Sequence, residues 1–367
     1  MLSYTSSFKE KHKVRLFFLT AVILFLISNF VIYHHFYGHT TKKEYINNLP
    51  SKEKHMALNL ANSPPKDAIF MGNSRTLFHI STPVLKERGF DIYNLGVSGH
   101  EPSGFPSMIE HALPYQPKSI VLCLNAPNLY KSIKVPTDVD LYDVKVYIES
   151  ELSFSFIVKS FLQYLRTWIL IDFYSTNLNL RIQSAYKSFD HYQHILNSKE
   201  IKKAFTNPQS NVDQQYTFDP TLVQCKIFNV ARPKKLEILG MCTNGDGVLV
   251  GNRVGESAVQ QEEDTEQALP QTLDLQQLRL LNAMIQKIKK KGIQPLVIFT
   301  PIYNNPYPAS LFTKTAAQLD APVIDLSRAH FGNEMWADQG HLNIKGRYVY
   351  SQLVAQQLKR YLPASSH

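Results

Sequence analysis

The sequence predicts an α/β fold, a doubly wound domain of about five parallel strands that a long insertion divides. Three apolar runs, DAIFMGNS, FDIYNLGVSG and PKSIVLCLN, alternate with short helical segments within residues 67–126. Two further runs, IQPLVIFTPIY and APVIDLS, follow near the carboxyl terminus, and a last helix is predicted in HLNIKGRYVYSQLVAQQLKRYL. Continuous apolar strands that alternate with helices are typical of a parallel sheet covered on both faces.

The composition indicates a folded protein with a sizeable core and gives little support to nucleic-acid binding. Of 367 residues, 44% are hydrophobic and 19% are charged, so global disorder is not expected. The net charge of +9 is partly concentrated in residues 9–15. The remaining basic residues form no stripe interleaved with aromatic side chains, which a nucleic-acid surface would require.

An apolar segment near the amino terminus predicts a membrane anchor. Residues 16–33 hold no charge, and a helix of this length would span about 27 Å, close to a bilayer core. A cleaved signal peptide, which usually has a shorter apolar region and small residues at its end, is one alternative. A buried helix is the other. The basic flank favours a cytoplasmic amino terminus.

The sequence therefore predicts several segments that precede the α/β domain. A cytoplasmic tail (1–15) leads to a transmembrane signal anchor (16–37), and a polar stalk that includes a short helix (38–66) follows. All residues after the anchor are expected outside the cytoplasm. The α/β domain is expected to comprise residues 67–126 and 271–367.

The insertion over residues 127–270 is predicted to be helical at first and then to form short strands. Residues 151–174 are strongly apolar, with Lys159, Gln163 and Arg166 on one narrow stripe. This pattern fits a buried helix, an interfacial helix on the bilayer or a docking face for a membrane partner.

The second half of the insertion carries two of the three cysteines. Residues 214–254 indicate short strands with a turn at NGDG. Cys225 and Cys242 lie in this region and are compatible with a disulfide in an oxidising compartment, although two isolated cysteines do not establish one. Cys123, inside an apolar strand, is predicted to be a buried free thiol.

Polar residues and a glycine fall where the predicted strands end, and ligands bind at this edge of such sheets. In chain order they are Ser74, Gly96, Asn125, Asp338 and His341. A serine nucleophile needs an imidazole base, and the imidazole needs a carboxylate that fixes its tautomer. The N–H groups of Ser74 and Gly96 and the side-chain amide of Asn125 would then form an oxyanion hole. Ordinary turn and capping roles are the alternative for each residue.

The order of these residues resembles the SGNH (GDSL-like) hydrolase superfamily. FMGNSR, NLGVSG, LCLN and DQGHLNIKG resemble its first, second, third and fifth blocks, over about residues 67–126 and 272–361. The resemblance implies a flavodoxin-like three-layer α/β/α domain. It also implies a triad of Ser74, His341 and Asp338, with the oxyanion hole described above.

Two blocks depart from the pattern of the family. In the third block Cys123 stands in place of Gly and Ala126 in place of Asp, so Asn128 rivals Asn125 as the amide donor. In the first block Asn73 stands where the family usually has Asp. These departures leave open which amide would complete the oxyanion hole.

The GNSR sequence behind an amino-terminal anchor resembles the membrane-tethered branch of the superfamily, similar to proteins of alginate O-acetylation and of teichoic acid D-alanylation. This resemblance implies an extracytoplasmic O-acyltransferase or acyl esterase at the bacterial cytoplasmic membrane. Its substrate would be a cell-envelope polysaccharide or other glycopolymer, and a multi-span membrane acyltransferase would be a partner. The alternatives are an esterase or lipase that acts on small esters or lipids, and a non-catalytic polymer-binding or scaffold protein.

Two further residues are candidates for substrate binding, namely Arg75 and Asn128. Arg75 fits contact with an anionic or carbonyl group of the substrate, and it fits a structural ion pair equally well. His79, His100, His191 and His194 lack the spacing that would support them as metal ligands. Neither a metal nor a cofactor is expected.

Overall fold

A computed structural model describes residues 15–28, 49–136, 139–168, 225–227, 237–250 and 272–362. The strands of these ranges, in chain order, are β1 (Ala68–Gly72), β2 (Ile92–Gly96), β3 (Ser119–Leu124), β4 (Cys225–Ile227), β5 (Glu237–Cys242), β6 (Gly247–Val250), β7 (Gln294–Phe299) and β8 (Val323–Asp325). Five of them form a sheet in the order β2-β1-β3-β7-β8, in which every neighbouring pair is parallel. The predicted α/β class with a parallel central sheet is confirmed.

The helices of the described ranges are α1 (15–28), α2 (Leu49–Leu60), α3 (Ser74–His79), α4 (Thr82–Glu87), α5 (Phe105–Ala112), α6 (Leu141–Glu149), α7 (Phe154–Trp168), α8 (Leu275–Lys290), α9 (Ala309–Ala316) and α10 (Ile344–Leu358). Short 3₁₀ turns lie at Pro102–Gly104, Leu113–Tyr115, Ala126–Tyr130 and Asn333–Met335. Proline stands in the first turn of α4 and α5, where its missing N–H leaves no bond unmade.

Hydrophobic clusters lie on both faces of the sheet, because successive side chains of a strand point to opposite faces. Ile69 and Met71 of β1 join a cluster with residues of α2, α5 and α8. Ala68 and Phe70 join the other cluster, to which α10 contributes its buried side. Both faces of β1 are therefore covered, which explains why its sequence is apolar without alternation.

The described part of the predicted anchor is helix α1, whose apolar side chains are exposed. In the ranges that the structure describes, no helix combines the length and the apolar character needed to cross a membrane. Residues 29–37 of the predicted anchor lie outside the described residues.

Residues 49–60 correct the prediction that residues 38–66 form a stalk. They form helix α2, which buries Leu49, Met56 and Leu60 in the core cluster that also holds β2. The Lys52 side chain is also fully buried there. The polar composition of this stretch suggested a spacer, but Leu49, Met56 and Leu60, spaced by seven and then four residues, lie on one face of the helix and are buried.

Helix α7 has a buried face and an exposed apolar face, so it is not the fully buried helix that was one interpretation of residues 151–174. Phe156 and Ser160 are buried, whereas Phe154 is 81% and Leu162 is 58% exposed. Residues 169–174 lie outside the described part of the chain.

Strands β4, β5 and β6 form a small antiparallel sheet within the insertion. A disulfide joins Cys225 to Cys242 across β4 and β5. The turn between β5 and β6 lies against the central sheet, since the Asn94 N–H in β2 donates to the Asn244 carbonyl at 2.8 Å. This turn-and-strand pair, residues 242–250, is called the docked hairpin below.

Candidate active site

The first strand delivers Ser74 at the sheet edge through a short turn. Asn73 is the N-cap of α3, and its Oδ1 accepts the N–H of Arg75 at 3.0 Å. Ser74 is the first residue of that helix, so its N–H has no intrahelical acceptor. Asn73 therefore acts as a capping residue.

His341, the predicted base, and Asp338, its predicted carboxylate partner, lie on one tight hairpin turn before α10. Trp336 and Leu342 pair as an antiparallel bridge, and the Ala337 N–H donates to the His341 carbonyl at 2.8 Å. Asn343 then caps α10 by accepting the N–H groups of Lys345 and Gly346 through Oδ1. The sequence HLN thus supplies the base, a buried leucine and a helix cap in succession.

Ser74, His341 and Asp338 form a continuous hydrogen-bonded chain. His341 Nε2 lies 2.8 Å from Ser74 Oγ. His341 Nδ1 lies 2.9 Å from Oδ1 and 3.0 Å from Oδ2 of Asp338. The side chains of His341 and Asp338 are 25% and 20% exposed, so both are partly accessible to solvent at the carboxyl edge of the sheet.

The surroundings of Asp338 keep it ionised. Partial burial raises the pKa of its carboxyl, but the hydrogen bond and charge of His341 and two backbone N–H groups together lower it by more, so the net shift is downward. These are the N–H groups of Gly340 and His341, which donate to Asp338 Oδ1, each at 2.7 Å. An ionised carboxylate at this place can hold a proton on His341 Nδ1 and leave Nε2 to accept the proton of Ser74.

The structure contradicts the predicted donor role of the Gly96 N–H. That group donates at 2.9 Å to Oδ1 of Asn94, a fully buried side chain. The amide of Asn94 also donates to the carbonyls of Thr76 within α3 and of Ile80, the residue that follows α3. Gly96 therefore serves the packing of α3 on β2, and its N–H is not available to an oxyanion.

A second glycine, Gly99, lies in the turn that follows β2. It is exposed and has φ +75° in a turn closed by the His100 N–H and the Val97 carbonyl at 3.2 Å. Within the described residues the Gly99 N–H donates no hydrogen bond. The Val97 N–H bonds the Gly72 carbonyl, so this turn and the Ser74 turn leave adjacent strands. NLGVSG contains both glycines, and the second lies in the turn that needs a positive φ.

The two rival asparagines contact each other at the end of β3. The Nδ2 of Asn125 donates to Oδ1 of Asn128 at 3.3 Å. The main chain supports this pair, because the Asn128 carbonyl accepts the side-chain amide of Gln277 at 2.9 Å. Asn125 follows the strand that neighbours β1, so its amide is at the same edge as Ser74.

Arg75 lies beside the triad without an ion pair to it. Its Nη1 donates to the Pro301 carbonyl at 3.4 Å, and the described residues include no carboxylate within 4.0 Å of it. Burial lowers its pKa to about 10, while the charges of Asp338, Tyr350 and Tyr307 act in the opposite direction. Arg75 is therefore a cation at neutral pH in a partly buried position next to Asp338.

Below the site, the docked hairpin anchors α10 through buried charges. Asp246 accepts hydrogen bonds from Arg347 of α10 and from the hydroxyl of Thr82 in α4. Lys52 of α2 donates to the carbonyls of Asn94, at 3.1 Å, and of Gly245. Asp246, Arg347 and Lys52 are all fully buried. The insertion is thus part of the scaffold that fixes the helix after His341.

Among the described residues, no group of three or more His, Cys, Asp or Glu side chains could hold a metal ion. No protein-family model matches the chain, and the search of curated proteins finds no similar sequence.

Proposed function

We propose that this chain is a serine-dependent acyl-transfer enzyme of the SGNH type. The observation that carries the proposal is the chain of hydrogen bonds from Ser74 Oγ through His341 to Asp338. A serine near a histidine is common, but a serine that begins a helix at a strand end and contacts a carboxylate-bound imidazole has the geometry of an activated nucleophile.

The strand order supports the same proposal. Numbered within the sheet, the parallel strands run 2-1-3-4-5, the order of flavodoxin-like domains. In this order the chain reverses direction across the sheet between β1 and β3, and ligands bind outside the carboxyl ends of the strands at that point. Ser74 follows β1, and Asn125 follows β3.

The proposed reaction has two acyl-transfer steps. Ser74 Oγ attacks the acyl carbonyl of an ester while its proton moves to His341 Nε2, and that proton then goes to the departing alcohol. Asp338 stabilises the imidazolium. The N–H groups of Ser74 and Gly99, with the amide of Asn125, receive the negative charge on the carbonyl oxygen. Water or a sugar hydroxyl, deprotonated by His341, takes the acyl group from Ser74.

The substrate class is proposed from the resemblance to membrane-tethered SGNH proteins. We infer an O-acylated cell-envelope glycopolymer, an extracytoplasmic location for the domain and a single anchor in the cytoplasmic membrane. Helix α1, with its exposed apolar side chains, supports the anchor. The exposed apolar face of α7 supports a contact with a membrane protein partner such as a multi-span acyltransferase.

Fluorophosphonate labelling of the full chain in detergent tests the nucleophile. We expect labelling of the wild type and of Ser310→Ala, an exposed serine in α9, and none of Ser74→Ala. His341→Ala should slow labelling by about 1000-fold or more, because the serine then has no base. Labelling that persists in Ser74→Ala would contradict the proposal. The acyl group and its acceptor are identified by mass spectrometry of surface polymers, compared between the wild type and a strain that carries Ser74→Ala.

A further inference from the structure

His79 belongs to the helix that begins with Ser74 and contacts the turn that carries His341. It is the last residue of α3, the helix that begins at Ser74, and its side chain is 0% exposed. Its carbonyl accepts the hydroxyl of Ser351 in α10 at 3.3 Å. The residue therefore joins the helix of the nucleophile to the helix that follows the base.

The imidazole of His79 also bonds the turn that carries His341. The N–H of Leu342, the residue after His341, donates to His79 Nε2 at 3.0 Å. Leu342 is fully buried, and a buried N–H without an acceptor would destabilise the turn. Because Nε2 accepts this bond, the proton of the neutral ring is on Nδ1.

Three rings hold the His79 side chain in one orientation. It makes edge-to-face contacts with Trp336 and Tyr350, at centroid distances of 6.3 and 5.9 Å. It makes the same kind of contact with His341 itself, at 6.3 Å. A shift of His79 would therefore move the base directly as well as through Leu342.

His79 stays neutral in this environment. Burial lowers its pKa well below the usual value, and the nearby His341 and Arg75 lower it further, while the backbone of Gly340 acts in the opposite direction. Neutrality suits catalysis, because a cation here would repel the imidazolium that forms on His341.

We propose that His79 is a positioning residue, which holds His341 in line with Ser74 by bonding the turn of the base to the helix of the nucleophile. This inference rests on the proposed acyl-transfer function. The sequence alone indicates no role for His79, because a histidine in an apolar segment shows nothing about its partners.

Two substitutions separate the hydrogen bond from the volume of the ring. In His79→Gln the side-chain oxygen can replace Nε2 as the acceptor of the Leu342 N–H, whereas His79→Leu fills the space without an acceptor. We expect His79→Leu to lower both the rate of fluorophosphonate labelling and the kcat for 4-nitrophenyl acetate by about 100-fold. A displacement of the His341 imidazole by about 1 Å has an effect of this size. KM should change less than twofold, and His79→Gln should recover at least tenfold of the lost rate.

The pH profile provides a readout that altered packing alone would not move. If His341 tilts away from Asp338, its imidazolium is less well stabilised, so the acid limb of kcat/KM moves to lower pH in His79→Leu and returns in His79→Gln. Wild-type labelling rates in a folded His79→Leu chain, or a His79→Gln chain no faster than His79→Leu, would overturn the inference.

¹⁵N NMR of the full chain labelled with ¹⁵N-histidine reports the tautomer of His79 and does not depend on enzyme activity. The expected result is a histidine that stays in the Nδ1–H tautomer between pH 5 and 8 and that disappears in both His79 variants. A His79 ring protonated on Nε2 would overturn the inference, whether or not His79→Leu folds. A wild type that shows this tautomer but is never labelled would count against the proposed function and leave the Leu342 bond established.

Discussion

The side chain of Asn94 accepts the N–H of Gly96 at 2.9 Å and donates to two carbonyls, one within α3 and one of the residue that follows it. This buried amide ties β2 to the helix that begins with Ser74. The position of the nucleophile is therefore set from the neighbouring strand as well as from its own, and the close approach of α3 depends on the glycine at position 96.

Gly96→Ala should destabilise the protein much more than Gly99→Ala. A Cβ on Gly96 would lie 2.4 Å from the Leu77 nitrogen and would force α3 away from β2. We expect a loss of about 3 kcal/mol or more in the free energy of unfolding. A Cβ on Gly99 meets no atom within 4 Å, so only its φ of +75° opposes the change, at about 1–2 kcal/mol.

Urea unfolding of the two variants measures this difference. Labelling by fluorophosphonate, measured where both variants are folded, shows what each change does to the site. Equal stability losses in the two variants would contradict the close packing of α3 on Gly96.

Asp338→Asn should leave the fold intact and lower kcat by about 10,000-fold, because an amide favours the wrong tautomer of the base. The low pKa of Asp338 implies that the wild-type carboxylate remains ionised throughout neutral and mildly acid pH. The kcat loss should therefore be the same at pH 6 and at pH 8 once the protonation of His341 is taken into account. Hydrolysis of 4-nitrophenyl acetate measures it, with Asp320→Asn on the surface as the matched control. A loss below tenfold would show that Asp338 does not orient the base.

The burial of Lys52 makes the free energy of unfolding depend on pH. Burial lowers its pKa from 10.5 to about 7, and the charge of Asp246 acts in the opposite direction. Between these values the unfolded chain binds more protons than the folded one, so the free energy of unfolding increases with pH. The slope from this group is at most about 1.4 kcal/mol per pH unit.

Lys52→Met should remove that slope, while Lys289→Met, at an exposed position of α8, should keep it. Urea unfolding at pH 7, 8 and 9 measures both variants against the wild type. A constant stability difference between Lys52→Met and the wild type over this range would show that the buried amine does not titrate there.

Loss of the Cys225–Cys242 disulfide should weaken the docked hairpin. The double variant Cys225→Ser/Cys242→Ser is expected to lose about 3 kcal/mol of unfolding free energy, the usual value for a loop of this length. Dithiothreitol should lower the stability of the wild type by a similar amount and leave the double variant unchanged. Burial raises the pKa of Cys123 to about 12, so this thiol reacts little at pH 8. A reductant effect of the same size in the double variant would contradict the prediction.

The sheet and the approach of Ser74, His341 and Asp338 to one another could be predicted because their signals are local. The apolar run of β1 ends in a capped helix start, and DQGHLN contains the carboxylate, the base and the cap of α10 within six residues. The oxyanion donors were less predictable. The side chain of Asn94 consumes the Gly96 N–H, and no spacing rule shows where a buried amide points.

The strands and turn of the docked hairpin agree with the sequence pattern, but its docking against the central sheet could not be predicted, for a different reason. Its contacts join Asp246 to Arg347 and Gly245 to Lys52, residues far apart in the chain with no shared pattern. Likewise, the polar composition around Lys52 suggested a stalk, since a lysine is usually exposed. Only tertiary packing shows that its amine is held by two carbonyls.

The separation of Ser74 and His341 by 267 residues affects the protein during its own synthesis. At the usual pace of translation, about 5–20 residues per second, the nucleophile precedes its base by roughly 10 to 50 s. During that time the nascent chain has the Ser74 hydroxyl without the imidazole that would activate it under the proposed mechanism. Truncated products that end before His341 lack the proposed base, so under the proposed mechanism they would not act on esters.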